Sequence, residues 1–105
     1  MDMILLISTV DNKDTANKIA SELVEKKLAA CVSIFPIEST YFWEGKIYKN
    51  EKEYMLLIKT IKEKASELIS WLKKIHPYDV PEIITINAKA YEGYTEWMFN
   101  YLKNR

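Results

Sequence analysis

Few side chains in this sequence are equipped for chemistry, because it contains one histidine, His76, and one cysteine, Cys31. His76 has two readings. With Asp79 or Glu82 close behind it, the ring could join carboxylates in a site for Cu(II), Zn(II) or another divalent metal, or shuttle a proton. Equally, it could close a helix, where a ring donor and partial positive charge suit the last carbonyls. One imidazole per chain builds no protein-only transition-metal site without carboxylates or symmetry mates. Cys31 stands among Ala29, Ala30 and Val32 with no basic neighbour along the chain, the setting of a buried, inert thiol. The zinc-site spacings C-x-x-C and H-E-x-x-H are absent, and Gly45 and Gly93 are too far apart for a phosphate loop. The single arginine is Arg105, at the terminus, which counts against a guanidinium clamp for phosphate. Glu44, Glu51, Glu82 and Lys59 read as partners in surface salt bridges, and Tyr41 and Trp43 as interface packing. These residues form no catalytic constellation, and the chain reads as a binding protein without enzymatic activity.

The elements that must hold these groups belong to one domain over 1–105, with 49% apolar and 29% charged residues. Lys and Arg balance Asp and Glu at 15 each, which argues against nucleic acid as a partner. No apolar stretch approaches the ~20 residues of a membrane span, so no membrane partner is expected. A lone cysteine and no secretory segment place the chain in the cytoplasm. Fourteen of the cations are Lys and Gln is absent, a weak pointer to a thermophilic source.

The apolar run over 3–9 suits a strand covered on both faces. Asp11 or Asn12 caps the next helix, striped by Ala16, Ile19, Ala20, Leu23 and Val24, with Lys26 and Lys27 in its last turn. A strand over 28–35 meets Pro36, which marks an edge, a bulge or a break. Strand character resumes at 39–43, and Glu44-Gly45 offers a two-residue hairpin turn that sets Trp43 against Lys46 and Tyr41 against Tyr48. Each arm spans about fifteen residues, roughly 50 Å. Thr60 and Glu63 read as a capping box for a second helix, ended by His76-Pro77. A strand over 82–86 and a short helix over 94–102 complete the chain. The order β-α-β-β-α-β with an extra C-terminal helix predicts an α+β, ferredoxin-like antiparallel sheet with a long hairpin between its second and third strands. Ile4, Leu5, Leu6 and Ile7, and again Met55, Leu56, Leu57 and Ile58, are apolar on both faces, so a second copy is expected to cover the open side. The hairpin aromatics Tyr41, Phe42, Trp43 and Tyr48 are candidates for that interface.

The Ala-Ala-Cys run ending at Cys31, the Tyr-x-Trp-Glu-Gly-Lys run from Tyr41 to Lys46, and the His-Pro-Tyr-x-x-Pro-Glu run from His76 to Glu82 resemble the CutA family of divalent-cation tolerance proteins. The resemblance extends in register from the first strand to Trp97. It implies a ferredoxin-like subunit, a homotrimer with long hairpin strands paired between neighbours, and a role in tolerance to copper and other divalent metal ions. It implies no established enzymatic activity and no cofactor required for folding. Metal ligands proposed in the family are a Cys ending the first strand and a His-His pair. Here those positions hold Ser8 and Ile75-His76, so His76 alone carries over, with loss of Cu(II) affinity expected on His76→Ala. The family also resembles the P-II nitrogen regulators, whose trimers suggest a small-ligand cleft between subunits. Trp43, Lys59, His76, Tyr78 and Glu82 would line it here, although the short turn at Glu44-Gly45 departs from the long loop of that group.

Overall fold

A computed structural model describes residues 1–103, and Arg105 lies outside them. The elements run β1 (Asp2–Val10), α1 (Lys13–Glu25), β2 (Cys31–Trp43), β3 (Lys46–Thr60), α2 (Lys62–Ile75), β4 (Ile84–Lys89) and α3 (Glu92–Lys103). The four strands form one antiparallel sheet in the order β2-β3-β1-β4. This is the ferredoxin-like arrangement, with α3 as the added helix.

Strand pairing sorts the apolar residues onto two faces. Leu6 lies opposite Ile58 and Ser8 opposite Leu56, and these face α1 and α2. There Leu6, Val10, Leu56 and Ile58 pack with Ala16, Ile19 and Leu23 of α1 and Leu68 and Leu72 of α2. The alternate residues turn the other way, since successive side chains in a strand point to opposite faces. On that second face α3 covers only one end, where Met98 and Leu102 pack with Met3 and Ile61. Beyond α3 the row Ser33, Leu57, Ile7 and Ile84 runs across the sheet. Phe35, Ile84 and Ile86 are 41%, 46% and 42% exposed.

Ser8 presents the one buried side-chain polar atom without a partner among the described residues. A desolvated hydroxyl with no hydrogen bond costs about 1–3 kcal/mol. Ser8→Ala is therefore expected to raise stability by about 1 kcal/mol in a denaturant titration. A loss of similar size would contradict an unpartnered hydroxyl.

The hairpin turns where expected. Glu44 and Gly45 have φ of 48° and 80°, the pair of positive values a type I′ turn needs. Trp43 opposes Lys46 and Tyr41 opposes Tyr48, with the tyrosine rings stacked at 5.3 Å. Pro36 does not break β2, which is an edge strand where a missing donor is tolerated. The irregularity falls later: between the pairs Ser39–Glu51 and Tyr41–Tyr48, Thr40 faces both Lys49 and Asn50. Asn50 takes the left-handed conformation at φ 54°, which asparagine tolerates, and its N–H donates to Thr40 Oγ1 at 3.3 Å.

Of the two capping candidates for α1, Asn12 holds the position, its Oδ1 accepting from Thr15 N–H at 2.8 Å. Other local expectations are corrected. Lys26 and Lys27 fall beyond the last turn of α1, because the chain leaves the helix at Lys26 and Lys27 adopts φ 58°. Thr60 ends β3 instead of capping α2, and its buried hydroxyl donates to Leu28 O at 2.7 Å. Glu63 accordingly pairs with Lys103 of α3 at 3.1 Å. β2 starts at Cys31 and β4 at Ile84, each later than the apolar pattern indicated.

Candidate functional site

The arm of the hairpin and the loop over 76–83 enclose a cleft of about 700 Å³. Its chemistry is set by which residues these two segments turn inward. Asp11, Glu51, Glu53, Asp79 and Glu82 line it against a single cation, Lys52, and Tyr41, Trp43 and Tyr78 supply aromatic wall. Glu53 is the structural carboxylate of the group. It is buried on β3 and accepts from the Tyr78 hydroxyl at 2.6 Å. Burial, the Glu53 hydrogen bond and the nearby negative charge of Glu53 and Asp11 push the Tyr78 phenol far up, so it remains a donor. Burial, then the charge of Glu53, also raises the Glu82 carboxyl. Tyr41 is raised first by desolvation and then by Glu51 and Glu53. These shifts share a setting in which burial comes first and negative charge second, and a cation entering the cleft would offset the charge.

His76 sits beneath this wall rather than in it. The ring is buried, with Nε2 2.9 Å from the Thr9 carbonyl and Nδ1 3.1 Å from the Tyr78 backbone nitrogen. With both nitrogens engaged by backbone groups, His76 is not free to ligate copper alongside Asp79 or Glu82 in this arrangement. Among the described residues no three His, Cys, Asp or Glu side chains converge as a metal cage. The donor set of one chain therefore does not fit a resident transition-metal ion held by His76. His76 does follow the last residue of α2 and its backbone N–H donates to Leu72 O, but the ring serves the Thr9 carbonyl of β1 instead of the last carbonyls of the helix.

The other predicted residues separate into three places. Trp43, Tyr78 and Glu82 share the cleft. Lys59 shares the second face with Glu53 but does not reach the cleft, because it lies six residues farther along β3, about 20 Å away, opposite Cys31 and Leu5. There its Nζ donates to Ser33 Oγ at 2.7 Å and lies 3.6 Å from Cys31 Sγ. Cys31 thus has a cation beside it across the strands, a neighbour that reading along the chain missed, and it is half-buried rather than buried. Phe42 projects from the arm at 70% exposure, beside Tyr41, Trp43 and the half-buried Tyr48. Glu53, Asp11 and Thr9 were not anticipated. Glu53 left one usable signal, a carboxylate two positions from Met55 and four from Leu57 on the same face of an apolar strand. Thr9 contributes through its carbonyl, which no side-chain pattern reveals.

Residues 4–100 match the sequence profile of the family described as CutA1 divalent ion tolerance protein. The chain is 43% identical to the divalent-cation tolerance protein CutA of Thermotoga maritima over 97 residues, covering 91% of this chain and 95% of that one. It superimposes on CutA from Synechococcus elongatus with a TM-score of 0.91 at 39% identity, over 96% of this chain and 90% of that chain. A structure of the same Synechococcus protein complexed with Bis-Tris matches with a TM-score of 0.89 at 37% identity, over 96% and 94% of the two chains.

Proposed function

Because the chain belongs to the CutA1 divalent ion tolerance family, we propose that it acts in tolerance to divalent metal ions, copper among them, by binding cations as a homotrimer in the cytoplasm. The observation that carries this reading is the acidic, aromatic-walled cleft, with five carboxylates against one lysine. A site of this kind draws cations by its field and holds them partly hydrated through Asp79, Glu82 and their neighbours. Binding rather than catalysis is favoured because the one imidazole has both nitrogens committed to backbone partners. Assembly is supported by the apolar second face, which α3 leaves half open. A cytoplasmic setting rests on the single unpaired cysteine.

A small-ligand role for the same cleft, of the P-II type, is favoured by one observation. The cleft adds Tyr41, Trp43 and Tyr78 to its carboxylates, a combination that suits an organic ammonium ion as well as a metal. The Synechococcus relative complexed with Bis-Tris, itself an amine, is in keeping with that chemistry.

Calorimetry with Mn(II), Cu(II) and Bis-Tris distinguishes the readings. Asp79→Asn combined with Glu82→Gln removes two negative charges and is expected to weaken cation binding roughly tenfold or more. Weakening for the metals alone favours metal tolerance through this cleft, and weakening for Bis-Tris alone favours the small-ligand role. Unchanged affinity for all three removes the cleft from the binding site.

A further inference from the structure

His76 ties three segments together. Its backbone N–H donates to Leu72 O of α2 at 2.9 Å, Nε2 meets Thr9 O at the end of β1 at 2.9 Å, and Nδ1 meets Tyr78 N at 3.1 Å. A carbonyl oxygen can only accept and a backbone N–H can only donate. The two ring contacts therefore specify one protonation state, with hydrogen on Nε2 and a bare lone pair on Nδ1. From this geometry we infer that neutral His76 is a positioning residue that latches the 76–83 loop to the sheet, and that a proton arriving at Nδ1 releases the loop.

A protonated Nδ1 would confront the Tyr78 N–H donor to donor, and that hydrogen bond cannot survive without the loop moving. The segment set free carries Tyr78, whose hydroxyl bonds Glu53, together with Asp79 and Glu82. One protonation at His76 thus loosens a wall of the cleft, whichever cation the cleft takes. The groups facing the ring from each packed element are few. Asp11, just after β1, and Glu53, on β3, favour the imidazolium, as does the Thr9 carbonyl, and the Tyr78 ring lies edge-on at 4.9 Å. Lys73 and Lys74, in the last turn of α2, are exposed to solvent. Burial opposes the charge and outweighs the rest, so the ring takes up a proton below its ordinary range. The sign follows directly. An unfolded chain protonates first as pH falls, so the stability contributed by the latch is complete above about pH 6.5 and drains away below it.

Nuclear magnetic resonance on the intact, ¹⁵N-labelled protein tests this. At neutral pH the ring nitrogens of His76 are expected to show the Nε2–H tautomer. The exchange protection of the Tyr78 amide, corrected for intrinsic rate, is expected to fall about tenfold or more between about pH 7.5 and 5. His76→Asn sets Oδ1 near the place of Nδ1 and keeps an acceptor that does not titrate there, so Tyr78 protection should become flat with pH. His76→Gln keeps a donor toward Thr9 but loses that acceptor, and Tyr78 should be unprotected throughout. An Nδ1–H tautomer at neutral pH, readable on the unaltered protein even if a variant fails to fold, overturns the inference. So does a pH profile shared by the unaltered protein and His76→Asn.

Discussion

Leu57→Glu is expected to leave the chain monomeric, with light scattering at micromolar concentration reporting a one-chain mass where the unaltered protein reports three. Leu57 is half-buried at the centre of the second face, opposite Ile7 on one side and Ser33 on the other. In the proposed trimer this row is covered by a neighbour. A carboxylate introduced there would have to be desolvated in a largely apolar interface, and the one cation close by, Lys59 at Ser33 across the strands, would be desolvated with it, at a cost of several kcal/mol per copy. Its effect on the fold of one chain is small by comparison, because the side chain points away from α1 and α2. Two results would sink the prediction: a monomeric unaltered protein, or a trimeric Leu57→Glu variant.

Leu56→Ala, one residue away, is expected to act by a different route. Leu56 is fully buried and faces the helices, packed in the cluster that includes Leu6, Leu23 and Leu68. Truncation there removes transfer free energy and leaves a cavity, together about 3 kcal/mol. That is a large share of the 5–15 kcal/mol typical of a domain. Denaturant unfolding should be followed at fixed protomer concentration, since assembly adds to apparent stability by mass action. The variant should unfold earlier yet still assemble at low denaturant. A destabilisation below about 1 kcal/mol would contradict the packing described here. Adjacent residues with separable phenotypes are what a sheet with two buried faces predicts.

How far the sequence could be read depended on whether a feature is local. The turn at Glu44-Gly45, and with it the facing of Tyr41 and Tyr48, follows from two residues and the strand period, and it was legible. The strand order was legible because alternating strands and helices leave few topologies. Thr60 misled because a Thr three residues before a Glu is a cap only if its own backbone starts a helix, and here it ends a strand. Lys59 lies on the cleft's own face of the sheet but six residues beyond Glu53 along β3, and a side-chain pattern fixes the face of a strand position without fixing which end of the strand a loop packs against. The state of His76 could not be read at all. It is set by the Thr9 carbonyl, 67 positions away, and backbone groups carry no signature in side-chain composition.

The position of β1 bears on how the chain is made. It precedes the other strands along the chain yet lies inside the sheet, between β3 and β4, and it pairs with β4 from Asp2–Lys89 to Ile7–Ile84. A hairpin zips in about 1–10 μs, whereas synthesis adds only roughly 5–20 residues per second, so β4 emerges long after β2 and β3. The arm of β2 and β3 therefore forms while the nascent chain still lacks the strand that completes its sheet. During that interval an aromatic tip and a bare edge strand are open to any passing partner. The exposed Glu38, Lys46, Lys49, Glu51 and Lys52 put along the arm the kind of charge that disfavours wrong edge-to-edge pairing.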